Sequence, residues 1–229
     1  GGGMRVASIR RYPVKSMAGE SLGSVELDAR GLSGDRAWAV RDEDSRLASG
    51  KSTRRMVRRD AVFGFSAWTT PDGVVVSDGA RTWEAGSPEL DVSLTDAMEA
   101  PVALARESDV KHFDDGSVSL IGTGTLEWCA RELGVDADPR RLRVNLVVET
   151  QEPFVEETWF GRALAIGGAV LTPVQRIERC RTIDLAQDGV ASSTRWLTAL
   201  GASRDLRVAV YCAVATPGTL AVGDEVLLG

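Results

Sequence analysis

Hydrophobic and polar positions alternate with a period of two through much of the chain, the spacing of a strand with one buried face. Residues 6–12 begin a strand that Pro13 stops, Ser24-Val25-Glu26-Leu27-Asp28 alternates cleanly, and 36–41 repeats the pattern. Further strands are predicted at 61–68, 73–77, 101–105, 143–149, 162–167, 169–175, 206–215 and 219–228. Pro71-Asp72-Gly73, Ser77-Asp78-Gly79 and Thr216-Pro217-Gly218 supply turns between them. Many short strands punctuated in this way imply a barrel or a sandwich, so the fold class is mainly β with a few helices.

Two segments break the rhythm. Leu126, Cys129, Ala130 and Leu133 share one helical face, which predicts a helix over 123–133, capped by Thr123 and ended by Gly134. A shorter helix is predicted over 192–200, with Ser192 or Ser193 as cap and Gly201 as stop. The stretches 42–60 and 184–192 show the least pattern and read as loops.

At 229 residues the chain allows one large domain or two small ones with a sizeable core. No apolar stretch nears the roughly 18 residues that span a bilayer, and no basic-then-apolar leader is visible. A cytoplasmic location is the expectation, and Gly1-Gly2-Gly3 ahead of Met4 reads as a remnant of recombinant expression. The net charge of −6 argues against general nucleic-acid binding. The charge is uneven, however: residues 4–60 carry 13 basic and 8 acidic side chains, which leaves room for a local anion site.

One histidine excludes a His-rich zinc site, a two-His iron site and a bis-His haem within the chain. His112, between Lys111 and Asp114-Asp115, reads as a surface residue. The three cysteines are too far apart for a CxxC pair. Cys129, on an apolar helical face, and Cys212, in an apolar run, read as core. Cys180 differs, because Arg179 and Arg181 flank it and nearby cations favour a thiolate, the form that binds soft metals; from these residues alone it is as open to a structural as to a functional role. Gly122-Thr123-Gly124 before a helix is a weak phosphate signal without the lysine of a P-loop. The run Arg54-Arg55-Met56-Val57-Arg58-Arg59 reads first as solvated surface.

Several motifs recur together along the chain: Tyr12-Pro13-Val14-Lys15-Ser16, Gly34-Asp35-Arg36-Ala37-Trp38, Arg143-Val144-Asn145, Glu157-Thr158-Trp159 with Leu164-Ala165-Ile166-Gly167, Arg179-Cys180, and Pro217-Gly218-Thr219-Leu220-Ala221-Val222-Gly223-Asp224. In that order and spacing the chain resembles MOSC-domain proteins with an N-terminal MOSC β-barrel region. It is similar to bacterial MOSC reductases of N-hydroxylated compounds and to mitochondrial amidoxime-reducing components. The resemblance implies an N-terminal MOSC region over 4–97 and a MOSC barrel over 98–229. It also implies a molybdenum cofactor, a molybdopterin dithiolene with a phosphate tail. Cys180 would then be the metal ligand and catalytic centre. Lys15, Ser16, Arg36 and Arg143 would hold pterin and phosphate, with Arg179, Gly116 and Ser117 as further cofactor contacts.

The activity so implied is reduction of small N-hydroxylated substrates by oxygen-atom abstraction at molybdenum. Electrons would come from a separate flavoprotein, iron–sulfur or haem protein, with the Arg54–Arg59 run as its docking surface, and neither nucleic acid nor membrane would be a partner. The alternatives are a carrier of the cofactor or of a Cys180 persulfide without turnover of its own, and a plain anion-binding domain. Glu178 and Arg181 depart from the relatives' usual residues, as does the Gly122-Thr123-Gly124 loop, so substrate identity is least legible at those positions.

Overall fold

The computed structural model describes residues 3–229, so Gly1 and Gly2 of the triglycine leader lie outside the described residues. Its centre is an eight-stranded sheet in the order Val226–Leu228, Leu164–Ile166, Ala169–Glu178, Arg207–Thr216, Val118–Gly122, Leu146–Val148, Val6–Arg11, Glu20–Leu22. Neighbours run antiparallel except Val118–Gly122 beside Leu146–Val148. Met4, Arg5 and Val6 bond back to Asp224 and to the start of Val226–Leu228, which joins the first strand to the last and curls the sheet into a barrel. Ile9, Leu27, Leu120, Leu146, Trp159 and Leu220 fill its interior.

A second lobe forms from residues 38–106. The strands Val102–Arg106, Trp38–Asp42, Leu47–Ser49 and Met56–Arg58 make one small sheet, and Ser66–Thr70, Gly73–Ser77 and Thr82–Glu84 make another. Helix Pro88–Met98 buries Leu90, Leu94 and Met98 in this lobe's own core, with Val40, Phe63 and Val76. A third core, around Trp196, Ile177, Val208 and Leu142, lies under the short helices that follow the barrel strands.

The fold is mainly β with short helices, as the patterning implies. Several details differ. The segment 61–68 begins as a 3-10 turn, Asp60–Gly64, before the strand Ser66–Thr70. The region 42–60 is not a loop, since it holds the strand pair Leu47–Ser49 and Met56–Arg58. The predicted strand 219–228 is two strands, Gly218–Ala221 and Val226–Leu228, parted by a turn at Gly223.

The helix from Thr123 is α-helical only to Trp128 and widens to a π-turn over Cys129–Leu133, ending at left-handed Gly134 as expected. Thr123 does not cap it; its hydroxyl bonds the backbone of Thr150. The last helix is Trp196–Ser203, so Gly201 lies inside it. Its cap is remote: the Asp184 carboxylate accepts from the Trp196 and Leu197 N–H groups.

Candidate functional site

The barrel and the second lobe face each other across a cleft that is open to solvent. Lys15, Ser16, Arg36, Gly116, Ser117, Arg143, Arg179 and Cys180 all line it. Residues more than 160 positions apart thus converge, and the backbone explains how.

After the strand Val6–Arg11 the chain leaves the barrel edge at Tyr12-Pro13, and Lys15 N–H donates to the Trp38 carbonyl, which seats Lys15 at the lobe boundary. Arg143 ends the helical turn Pro139–Leu142 in a left-handed conformation, turning the chain into Leu146–Val148. The bulged strand Ala169–Glu178 delivers Arg179 and Cys180 at its end, where Cys180 opens the 3-10 turn Arg181–Asp184. Three cleft residues, Ser16, Arg36 and Arg143, have positive φ (72°, 49° and 55°), a conformation that ordinary L residues rarely adopt.

Tyr12 organises two of the cations. Its ring is fully buried and faces the guanidinium of Arg36 at 4.5 Å and of Arg143 at 4.3 Å. Asp35, also fully buried, accepts from the Tyr12 N–H at 2.9 Å and pairs with Arg36 at 2.8 Å. Arg143 has no carboxylate partner among the described residues; it donates to the Met17 carbonyl at 2.7 Å and to Gln187 at 3.4 Å, and burial pulls its pKa down to about 10. Arg179 donates to the Leu142 and Val208 carbonyls, while its Nη2 is buried without any hydrogen-bond partner among the described residues. Burial lowers its pKa too. Among the described residues neither Arg143 nor Arg179, both half-buried, is paired with a carboxylate, and such charges attract an anion.

Cys180 is half-buried, and its Sγ lies 3.3 Å from the Thr182 hydroxyl. The other two thiols are buried, and burial pushes both up to about 12, so they stay protonated core groups as their sequence context suggests. Cys180 is not flanked by two cations in space. Arg181 turns away to a bidentate pair with Asp60 and to the Gly50 carbonyl, which leaves Arg179 as the neighbouring cation that faces the cleft.

Gly116 needs its missing side chain. A Cβ there would lie 2.4 Å from the Tyr211 ring, so the loop rests directly on that aromatic wall. The Ser16 hydroxyl donates to the Ala48 carbonyl, and Ser117 to Cys212. Asn145 is a brace, not a ligand: it bonds Ser119 and the Arg10 backbone and ties three barrel strands together.

His112 is not a surface residue. It is 2% exposed, its Nδ1 lies 2.6 Å from the Arg36 carbonyl, and its own carbonyl accepts from Lys15 Nζ at 2.7 Å. Gly122-Thr123-Gly124 is closed to ligands, because Glu156 takes the Gly122 N–H and Thr150 the Gly124 N–H. The arginine run is not one solvated patch either. Arg55 donates to the carbonyls of Lys111, Phe113 and Asp114, and Arg59 sits near Asp42, while Arg54 and Arg58 are exposed.

Lys51, Asp114, Thr182 and Tyr211 line the cleft without having been singled out from sequence. Tyr211 stands in an apolar strand that reads as core, and Asp114 in a polar loop that reads as solvated.

Glu107 anchors that loop. Burial alone would raise its pKa, but the paired Arg30 guanidinium and the His112 N–H hold it down at about 2, against an ordinary 4.5. A depressed carboxylate contributes stability above its unfolded pKa and loses it as pH falls through the folded value. Thermal melts should therefore show Glu107 contributing at neutral pH and ceasing to contribute between about 4.5 and about 2. Glu107→Gln is expected to lose about 5 °C at neutral pH and to show a shallower acid slope in that window. An unchanged acid slope would contradict the assignment.

Two family models match this sequence. One is the MOSC domain, over residues 107–227, and the other is the MOSC N-terminal beta barrel domain, over residues 3–135. The chain belongs to the MOSC family. Among solved structures, the MOSC protein is similar to the YuaD protein of Bacillus subtilis, at 14% identity and a TM-score of 0.51 over 98% of this chain and 95% of that one. At that identity the likeness shows a shared fold. YiiM from Escherichia coli is matched at 12% identity and a TM-score of 0.46, over 98% of this chain and 69% of that one. No curated protein matches the sequence.

MOSC domains are associated with molybdenum-cofactor binding and with sulfurase-like proteins. The residues present fit such a group. A phosphate-bearing anion would meet the unneutralised Arg143 and the orphaned Arg179 Nη2, and a soft metal would meet the thiol of Cys180. Among the described residues no cluster of three or more His, Cys, Asp or Glu could hold a metal alone, and no helix is long and apolar enough to cross a membrane.

Proposed function

We propose that this MOSC protein holds a molybdenum cofactor (molybdopterin type) in the cleft and reduces small N-hydroxylated compounds there, with electrons from a separate donor protein. The observation that carries the reading is the pairing in one cleft of the half-buried guanidinium groups of Arg143 and Arg179, which have no carboxylate partner among the described residues, with a half-buried thiol. When bound, the cofactor supplies a two-electron metal centre able to take an oxygen atom from an N–OH group.

The chain does the rest. Residues 4–97 contribute Lys15, Ser16 and Arg36, and 98–229 contribute Gly116, Ser117, Arg143, Arg179 and Cys180. Asp35 and Tyr12 fix Arg36 and Arg143 at the cleft wall, where their charges would hold phosphate and pterin without reorganising. Phe63, Ile177 and Ile183 give the cleft apolar wall that limits water. Cys180 is the metal ligand and Thr182 orients its sulfur. Arg54 and Arg58, exposed in the arginine run, serve as the docking face for an acidic electron donor.

Mass spectrometry of the purified protein should find near-stoichiometric molybdenum. A chemical reductant should then support turnover of amidoximes, hydroxylamines or N-hydroxylated bases. Absence of molybdenum from protein made in a cofactor-producing host would sink the reading. Metal without turnover would favour a cofactor carrier, and persulfide labelling of Cys180 a sulfur carrier. Lys15→Ala and Arg143→Ala should each lower retained molybdenum by about tenfold or more, since each removes a cation from an anion site. Full retention in both would refute their assignment.

A further inference from the structure

The cations at one end of the cleft are already sharing an anion, and it is the chain's own. Lys15 Nζ is buried, donating to the His112 carbonyl at 2.7 Å and to Asp114 Oδ1 at 3.1 Å. The same Oδ1 lies 3.5 Å from Lys51 Nζ, so one carboxylate oxygen bridges two ammonium groups. The Asp114 side chain is 38% exposed, unlike the carboxylate of Asp35, which no solvent reaches.

The backbone that carries Asp114 is held independently of this bridge. Arg55 clamps the carbonyls of Lys111, Phe113 and Asp114 at 2.8, 3.1 and 2.9 Å. Arg30 stacks 4.3 Å over the Phe113 ring while pairing with Glu107. The carboxylate can therefore swing towards solvent by side-chain rotation, with no loop unfolding. Arg36 and Arg143 have no such competitor, because Asp35 is locked by the Tyr12 N–H and Arg143 pairs with no carboxylate among the described residues.

We propose that Asp114 is a displaceable internal counter-ion: it occupies a subsite formed by Lys15 and Lys51, and an incoming phosphate monoester takes its place. The inference rests on the reading of Lys15 as a phosphate ligand and adds Lys51 as its partner and Asp114 as the group that sets the affinity. A dianion carries twice the charge of the carboxylate it displaces, which favours exchange. The Asp114 charge must still be pushed into solvent, so it weakens every phosphate that binds. It also keeps Lys15 paired whenever the subsite has no ligand, and so protects a buried ammonium from being left without a counter-charge.

The probe is inorganic phosphate, titrated calorimetrically and by thermal melting into the full chain made in a host unable to synthesise molybdopterin. Asp114→Asn should bind phosphate at least about tenfold tighter than the unsubstituted protein. It should also melt lower without phosphate, because Lys15 loses its carboxylate, and gain more in melting temperature when phosphate is added. Lys51→Gln in the Asp114→Asn background should reverse most of the tightening. Phosphate binding to Asp114→Asn that is no tighter than to the unsubstituted chain overturns the proposal, and so does a Lys51→Gln change without effect.

The same titration on cofactor-loaded protein identifies the source of the phosphate. Silence there means that the cofactor's own tail fills the subsite, and a retained response means that a separate phosphorylated ligand does. Tightening in Asp114→Asn from a chain that never acquires molybdenum in any host would uphold the subsite and reject the cofactor reading.

Discussion

Cys180→Ser is expected to empty the protein of molybdenum while leaving its fold intact. The side chain is half-buried and its one described hydrogen bond is to Thr182, so the fold should lose no more than about 0.5 kcal/mol, within about 2 °C in Tm. A serine hydroxyl keeps its proton at neutral pH and is a hard donor, a poor substitute for a thiolate on a soft metal. Turnover of N-hydroxylated compounds should fall more than about 100-fold. Cys129→Ser and Cys212→Ser should behave the other way round. Each buries a hydroxyl in an apolar core, at a cost of about 1–3 kcal/mol, and keeps the metal. Circular dichroism melts and metal analysis on the three variants separate the outcomes. Molybdenum retained at full level in Cys180→Ser would remove the thiol from the site.

Asp35→Ala should be the most damaging single change to the fold near the cleft. It leaves the largely buried Arg36 side chain, 15% exposed, without its counter-charge and the buried Tyr12 N–H without its acceptor. Breaking one side of a buried ion pair costs about 3–5 kcal/mol, which for a chain of this length lowers Tm by about 10 °C. The pair as a whole is a different matter, since apolar replacement of both partners often restores stability. Asp35→Ala with Arg36→Met should thus recover part of the loss in chemical denaturation, yet still fail to retain cofactor. If the double variant is as unstable as the single one, the cost lies in the Tyr12 N–H and not in the unpaired charge.

The strands with one wet face were legible because their pattern is their environment. Ser24–Asp28 is buried at Val25 and Leu27 and exposed between them, in step with its sequence. Val118–Gly122 escaped notice for the opposite reason: it is buried on both faces, beside a parallel neighbour, so nothing alternates. Helix Pro88–Met98 also escaped, because its apolar stripe is only Leu90, Leu94 and Met98 among polar residues. Ser87-Pro88 ahead of two acidic residues in the first turn was the available signal.

At the site, spacing could not unite Lys15, Arg36, Arg143 and Cys180; only the likeness to a family grouped them. The structure brings them to one cleft. Lys51 and Asp114 had no motif to betray them, since they meet only because Arg55 and Arg30 fold the loop down onto the lobe boundary. His112 misled because Lys111 and Asp115 near it are exposed while its own ring packs inward against Arg36.

The left-handed backbones of Ser16, Arg36 and Arg143 bear on how this protein can change over time. Each such conformation costs about 1–3 kcal/mol for a residue with a side chain, and glycine would relieve much of it. A lineage drifting towards heat tolerance alone would find these three positions attractive to replace, and every such replacement would delete a group that lines the cleft. The cleft is thus a place where a gain in endurance and the groups available for chemistry pull in opposite directions.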